Sequence, residues 1–339
     1  MAVQPTAPVA AVTPSPPVIA TPTVEEKAPP TPEVAVQSSA KPTAPVAVAI
    51  PSPSITAAPS KEELARRALD NATKDNPWVN SLGMKFVPVA GTQVLFSVWD
   101  TRVQDFEAFV KSTGYDPRVG MYSVGKDGWK QRGATWRKPG FSQGPTHPVV
   151  GVSWNDAEEF CKWLTKRERS AGVLPENREY RLPKDEEWSA AVGLKNEVGS
   201  TPEEKDGKIE LYPWDIPQIR DKSWPPPAGA GNYAGEEAKN GDWPTDWAVI
   251  EGYNDGYTWT SPVGSFEANF NGLYDMGGNV WQWCEDKYNP EKQDRVFRGA
   301  SWNDNAPGDL VASYRGERRP DARYAVYGFR CVVAVESSR

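Results

Sequence analysis

The sequence predicts an α+β, loop-rich domain behind a disordered N-terminal tail, and three observations carry that prediction. No aromatic residue precedes Trp78, and all 15 tryptophans lie from Trp78 onward. Helical spacing of apolar residues occurs in only a few stretches, and the strand-like segments between them are short. Much of the rest, above all residues 194–264, mixes Gly, Pro, Trp, Asp and Asn with no core-forming period.

Taken in order, residues 1–60 are rich in Pro, Ala, Val, Thr and Ser. Such a segment buries too little surface to offset its ordering entropy, so it reads as a disordered linker. A linker with nothing before it implies a fragment of a longer protein or a tail that spaces the domain from something else. Residues 61–77 form a lead-in helix, because SKEELARRALDNATK pairs an S-x-x-E start with Leu64, Ala65, Ala68 and Leu69 at helical spacing. Residues 78–335 form the globular domain. MKFVPV and VLFSVW read as strands, and Thr101 to Val110 as a helix begun by T-x-x-Q. HPVVGVSW reads as a strand, and NDAEEFCKWL as a helix capped by Asn155 with Glu158 three residues on. Pro183 in YRLPKDEEW suits a first helical turn. Near the end, RVFRGASW and YGFRCVVA read as strands with one buried face, enclosing an unpatterned stretch at 303–326. Loops beyond about 12–15 residues inside a compact domain are functional or disordered, and this one is pinned at both ends.

The net charge of −7 and pI near 5.1 argue against nucleic acid as a partner chosen by bulk charge. No apolar run reaches the roughly 18 residues of a membrane helix, which argues against membrane insertion. The start MAVQPTAPVAAV lacks a basic segment followed by an apolar one, so a soluble, by default cytoplasmic, chain is expected. Three cysteines and one histidine are too few for a disulfide scaffold or a Cys/His zinc quartet. Cys161, Cys284 and Cys331 all fall in apolar patterns and read as buried small hydrophobes. His147, at a strand entrance before Pro148, reads as a structural hydrogen-bonding group.

Six ordered segments, NSLGMKFVPV, HPVVGVSWNDAEEFCKWL, YRLPKDEEW, GLYDMGGNVWQW, VFRGASW and GFRC, resemble the formylglycine-generating enzyme, or sulfatase-modifying factor, family. The resemblance covers roughly residues 78–335 and implies a C-type-lectin-like fold. It also implies oxidation of a substrate cysteine by copper(I) held on two thiolates in the loop before GFRC. That loop holds no cysteine here, so copper is not expected, and an enzyme of the usual type is not predicted. A histidine-bound iron site of the kind used elsewhere in the family cannot be built from one histidine. The resemblance further implies structural calcium at two sites, one at Asn232, Tyr233, Asp255 and Tyr257, the other at Asp275, Gly278, Val280 and Gln282. At Gln282 the family commonly has Glu, and the departure weakens the second.

With chemistry disfavoured, the composition of the loop becomes the clue. Trp302, Asn303, Asp304, Asn305, Tyr314, Gly316, Arg318, Arg319, Asp321, Ala322, Tyr324, Ala325 and Tyr327 combine rigid aromatics, adaptable polar groups and charge, as binding loops do. The layout is also similar to the variable proteins of diversity-generating retroelements, and to domains joined by Pro-rich linkers to bacterial serine/threonine kinases. The reading is a ligand-binding display module for a protein or small molecule, the side chains of Asn303 to Tyr327 facing solvent while Trp302 and Phe329 anchor the loop from the core. A cysteine-modifying enzyme of altered type and a kinase-appended sensor remain alternatives.

Overall fold

A computed structural model describes residues 58–117, 120–131, 133–216, 223–239 and 243–336, so the expected linker lies almost wholly outside the described residues. The lead-in helix α1 (Lys61–Asp70) begins as S-x-x-E requires, the Ser60 hydroxyl accepting from the Glu63 amide at 3.1 Å. Only Ala65 and Leu69 of its apolar residues are buried, and Leu64 is 52% exposed.

Three short strands follow, β1 (Trp78–Val79), β2 (Lys85–Pro88) and β3 (Leu95–Ser97). Helix α2 (Val103–Thr113) starts at Arg102, whose amide donates to the Asp105 carboxylate at 3.0 Å. The expected Thr101 start fails because Thr101 is itself buried, its amide donating to the Phe329 carbonyl. A hairpin, β4 (Tyr122–Gly125) and β5 (Gly128–Gln131), precedes α3 (Trp154–Ala171). Here Ser153, not Asn155, is the cap: Ser153 and Asp156 exchange hydrogen bonds at 3.2 and 2.8 Å, a reciprocal box displaced from the expected one. The expected strand HPVVGVSW makes only an isolated bridge between Arg102 and Pro148. Gly151, at φ +71°, breaks its extension, and Val149, Val150 and Val152 are all buried rather than alternating.

Strand β6 (Arg178–Arg181) leads to α4 (Asp185–Val192), with Lys184 at the cap, so Pro183 lies two residues before the first helical position and outside the first turn expected of it. After the single turn α5 (Pro202–Lys205) come β7 (Trp281–Lys287), β8 (Arg295–Arg298), β9 (Gly316–Arg318), β10 (Tyr327–Gly328) and β11 (Val332–Val335). The expected terminal strand is therefore two strands in two sheets. An antiparallel sheet runs β1-β2-β3-β11-β6, a second runs β10-β7-β8-β9 with β10 parallel to β7, and β4-β5 stand apart. Between β10 and β11, Phe329, Arg330 and Cys331 are buried without alternation, because the chain crosses between layers.

The stretch at 303–326 is not a bare loop. It contains β9, which pairs Gly316 with Phe297, and Arg315 with a fully buried guanidinium. Arg315 Nε and Nη2 reach the two carboxylate oxygens of Asp185 at 3.0 Å each, and Arg298 Nη1 meets the same carboxylate. Burial alone would raise the proton affinity of Asp185, but the two arginines outweigh it and hold the carboxyl below its ordinary range. Replacing Asp185 by Asn leaves two buried guanidiniums facing an amide. We expect a loss of about 3–5 kcal/mol in urea denaturation at neutral pH. Because the folded-state value is depressed, the contribution of Asp185 is present at neutral pH and is lost as the solution is acidified below about pH 4.

Candidate functional site

The expected ligand-contacting residues separate into anchors and exposed groups. Trp302 is buried, the core anchor expected of it, whereas Ala325, Tyr327 and Gly316 are buried too, which corrects the expectation that these three face solvent. Trp302 packs on Trp259 and Phe141 with ring centroids 4.9 and 5.5 Å away, and its indole donates to the Ala325 carbonyl at 3.1 Å. Tyr327 stacks among Trp283, Phe297 and Tyr324 at 5.1, 4.8 and 5.1 Å.

Asn303, Asp304, Asn305, Tyr314, Ala322 and Tyr324 are half-buried. The Asn305 amide donates to Ala248 O at 2.7 Å, and Tyr314 lies 5.5 Å from Trp281. Asp304 Oδ2 accepts from both the amide and the hydroxyl of Ser301, at 2.8 and 2.6 Å. Burial, with repulsion from Asp309, nonetheless pushes the Asp304 carboxyl up to about 7. Arg318, Arg319 and Asp321 are exposed, the last two paired at 3.3 Å.

Three features of this face were not legible in the sequence. Arg323 grips Asp156 with two hydrogen bonds of 2.8 Å and so fastens the far end of the stretch to the start of α3. Tyr122 of the β4-β5 hairpin stacks on Tyr324 at 4.8 Å, nearly parallel at 14°. Trp129 then meets Tyr324 at 5.6 Å and Trp247 at 6.2 Å. No local pattern announces these pairings, because each joins distant segments.

The first expected calcium set does come together. Asp255 accepts from the amides of Tyr233 and Tyr257, both at 2.9 Å. Asn232 is fully buried and its Oδ1 has no hydrogen-bond partner, while burial and the neighbouring Glu237 push Asp255 up to about 7. An unpaired buried acceptor beside an under-compensated carboxyl fits a hard cation. The second set does not fit. Gln282 Oε1 already accepts from Trp188 and Arg330 at 2.9 and 2.8 Å, and its amide donates to the Asp275 carbonyl at 2.7 Å. The buried Arg330 guanidinium, 3.3 Å from the Asp100 carboxylate, supplies the positive charge there, and Asp275 accepts from the Gly264 amide. The Gly278 carbonyl, through which that residue would meet an ion, already accepts from the Val280 amide at 2.9 Å. Among the described residues no group of three or more His, Cys, Asp or Glu forms a metal cluster.

The three cysteines are buried, Cys161 and Cys331 with sulfurs 3.6 Å apart and Cys284 within β7. Burial raises the Cys161 and Cys284 thiols well above their ordinary range, away from the thiolate form that binds metal or attacks. His147 shares a hydrogen bond with the Thr260 hydroxyl at 3.1 Å, the structural role expected of it.

The sequence matches the sulfatase-modifying factor enzyme 1-like domain over residues 35–335. The chain belongs to that family. It is 34% identical over 211 residues to the inactive C-alpha-formylglycine-generating enzyme 2 of Bos taurus, covering 58% of this chain and 56% of that protein. It is 30% identical over 275 residues to the formylglycine-generating enzyme of Mus musculus, covering 67% and 62%. The chain thus spans little more than half the length of these curated relatives. Serine/threonine-protein kinase Pkn1 of Chlamydia trachomatis is 28% identical over 217 residues, 59% of this chain and 26% of the kinase. Among solved structures, Treponema denticola variable protein 1 is 18% identical with a TM-score of 0.42, covering 75% of this chain and 95% of that one.

Both Asp255 and Asp304 are held near 7 in the fold, against about 3.9 for an unfolded aspartate. Between those values the folded state binds more protons, so stability falls as pH rises from 4 to 7. In chelator we expect a lower melting temperature at pH 7 than at pH 5, with a smaller difference in Asp304→Asn. An equal pH dependence in that variant would contradict the assignment.

Proposed function

We propose that this domain is a non-catalytic binding module of the formylglycine-generating enzyme fold, with the 303–326 segment and the β4-β5 hairpin as its contact face. The observation that carries this reading is the division of that segment. Arg315, Arg323 and Trp302 fasten it to Asp185, Asp156 and the aromatic core, while residues 306–308, Arg318, Arg319 and Asp321 stand in solvent. A contact surface held rigid by its scaffold loses little entropy on binding, and its exposed positions vary without cost to the fold.

Copper-dependent oxidation is disfavoured because the 303–326 segment has no cysteine and the three thiols present are buried elsewhere. The family's inactive member among the relatives supports the same reading. The match to a limited part of Pkn1 supports a second one, in which the module serves as the sensing part of a larger kinase-containing protein. Calcium, on this account, is structural and confined to the site around Asn232 and Asp255.

Two measurements test the proposal. Protein incubated with copper(I) and a CxPxR peptide is expected to yield no formylglycine by mass spectrometry; turnover that disappears on replacing Cys331 or Cys284 contradicts the non-catalytic assignment. The triple change of Arg318, Arg319 and Asp321 to Ala is expected to shift stability by less than about 0.5 kcal/mol. The same variant should lose the ligands that the wild-type protein selects from peptide and glycan arrays. Retention of every ligand contradicts the contact face.

A further inference from the structure

Glu237 lies in a short 3-10 turn, Glu236–Lys239, and is only 9% exposed. Its Oε1 accepts from the Gly235 amide at 3.1 Å, and its Oε2 has no hydrogen-bond partner. Gly235 shows where that carboxylate stands. A Cβ there would lie 2.6 and 2.7 Å from the two Glu237 oxygens and 2.8 Å from the Tyr253 carbonyl oxygen. Three oxygens therefore converge against a residue that must be glycine. Two residues beyond Tyr253 is Asp255, whose carboxylate clasps the amides of Tyr233 and Tyr257. Asn232, next to Tyr233, keeps a fully buried Oδ1 without a partner.

The Glu237 carboxylate disfavours ionisation of Asp255. Burial raises Asp255 first and Glu237 next, and burial is likewise the leading cause for Glu237. Two unpartnered buried oxygens, Asn232 Oδ1 and Glu237 Oε2, lie in one segment that is hydrogen-bonded to Asp255, and internal hydrogen bonds leave that arrangement incomplete.

We propose that Glu237 is an additional oxygen ligand of the calcium site around Asn232 and Asp255, so that the site offers two carboxylates to one ion. The proposal rests on the calcium reading given above and assigns a residue outside the set that the family resemblance supplies. A calcium ion takes six to eight oxygens, and carboxylates, amide oxygens and main-chain carbonyls are its usual donors. Each hydrogen-bonded carboxylate oxygen keeps a second lone pair for the metal. The ion would neutralise the mutual repulsion and join residues 232–239 to residues 253–257, two irregular segments with no strand between them.

Calorimetric titration of the full chain with calcium chloride, together with melting curves in chelator, tests this. Wild-type protein is expected to bind calcium and to melt higher when it is present. Glu237→Gln should weaken binding at least tenfold, yet melt in chelator no lower than wild type, because one of two uncompensated carboxylates is gone. Glu237→Asp should keep part of the affinity, and serves as the test where the Gln variant fails to fold. A merely structural Glu237 gives the reverse, a lower melting temperature in chelator with unchanged affinity, and that result overturns the proposal. If Asp255→Asn abolishes binding while Glu237→Gln leaves it within twofold of wild type, Glu237 is not a ligand although the site stands. If wild-type protein takes up no calcium, the calcium reading itself falls, and the role of Glu237 with it.

Discussion

The Asp185 carboxylate, shared by the buried guanidiniums of Arg298 and Arg315, is the interaction on which the path of the 303–326 segment depends. Around it the chain from Ala312 to Tyr314 has little strand pairing of its own, and its carbonyls need donors. Arg298 supplies them, donating to Ala312 O at 2.8 Å and Tyr314 O at 3.0 Å, and Arg315 donates to Ser313 O at 2.7 Å. A second acid, Glu197, reaches Arg315 at 2.7 Å, which brings the local charge close to balance. Buried ion pairs of this kind add little stability over a well-packed apolar cluster. Their effect here is to fix one path for an irregular segment.

The same device recurs at two other places where the chain leaves its sheets. Asp156 at the start of α3 takes Arg323 and the Tyr115 hydroxyl, fastening the segment just before Tyr324. Arg330, between β10 and β11, collects the carbonyls of Ser97 and Tyr274 with the side chain of Gln282. Each guanidinium does for loop backbone what a neighbouring strand does elsewhere, offering several donors in a fixed plane. At the second expected calcium site Arg330 supplies positive charge in this way. At the first, no basic side chain reaches Asp255 or Glu237 through any hydrogen bond among the described residues.

What the sequence revealed and what it hid follow from how far each determinant reaches. The Ser60 cap and the buried cysteines depend on near neighbours or on simple apolarity, and both were legible. Helix starts shifted where two capping pairs overlap, as in S-W-N-D-A-E, because the favoured pair is chosen by what else is buried. Trp302, closing a strand-like run, was legible as a core anchor, whereas Tyr327 resembles a display aromatic in composition, and only the folded arrangement of Phe297 and Trp283 makes it core. The arginines were the hardest to place. Arg318 and Arg319 are exposed, whereas Arg315, three residues earlier, is fully buried, and the partner that decides this, Asp185, is remote in sequence. Glu237 drew no notice because its carboxylate meets Tyr253 and Asp255 only across an irregular turn.

The central claim is that the 303–326 segment is half scaffold and half surface. Native-state hydrogen exchange resolves the two directly, since amides in anchored backbone open far less often than those in exposed turns. Slow exchange is expected at Ala312, Arg315 and the β9 amides, comparable to β7 and β8, and fast exchange at Ala306, Gly308, Arg319 and Asp321. Exchange at Ala312 and Arg315 as fast as at Ala306 and Gly308 would contradict the claim.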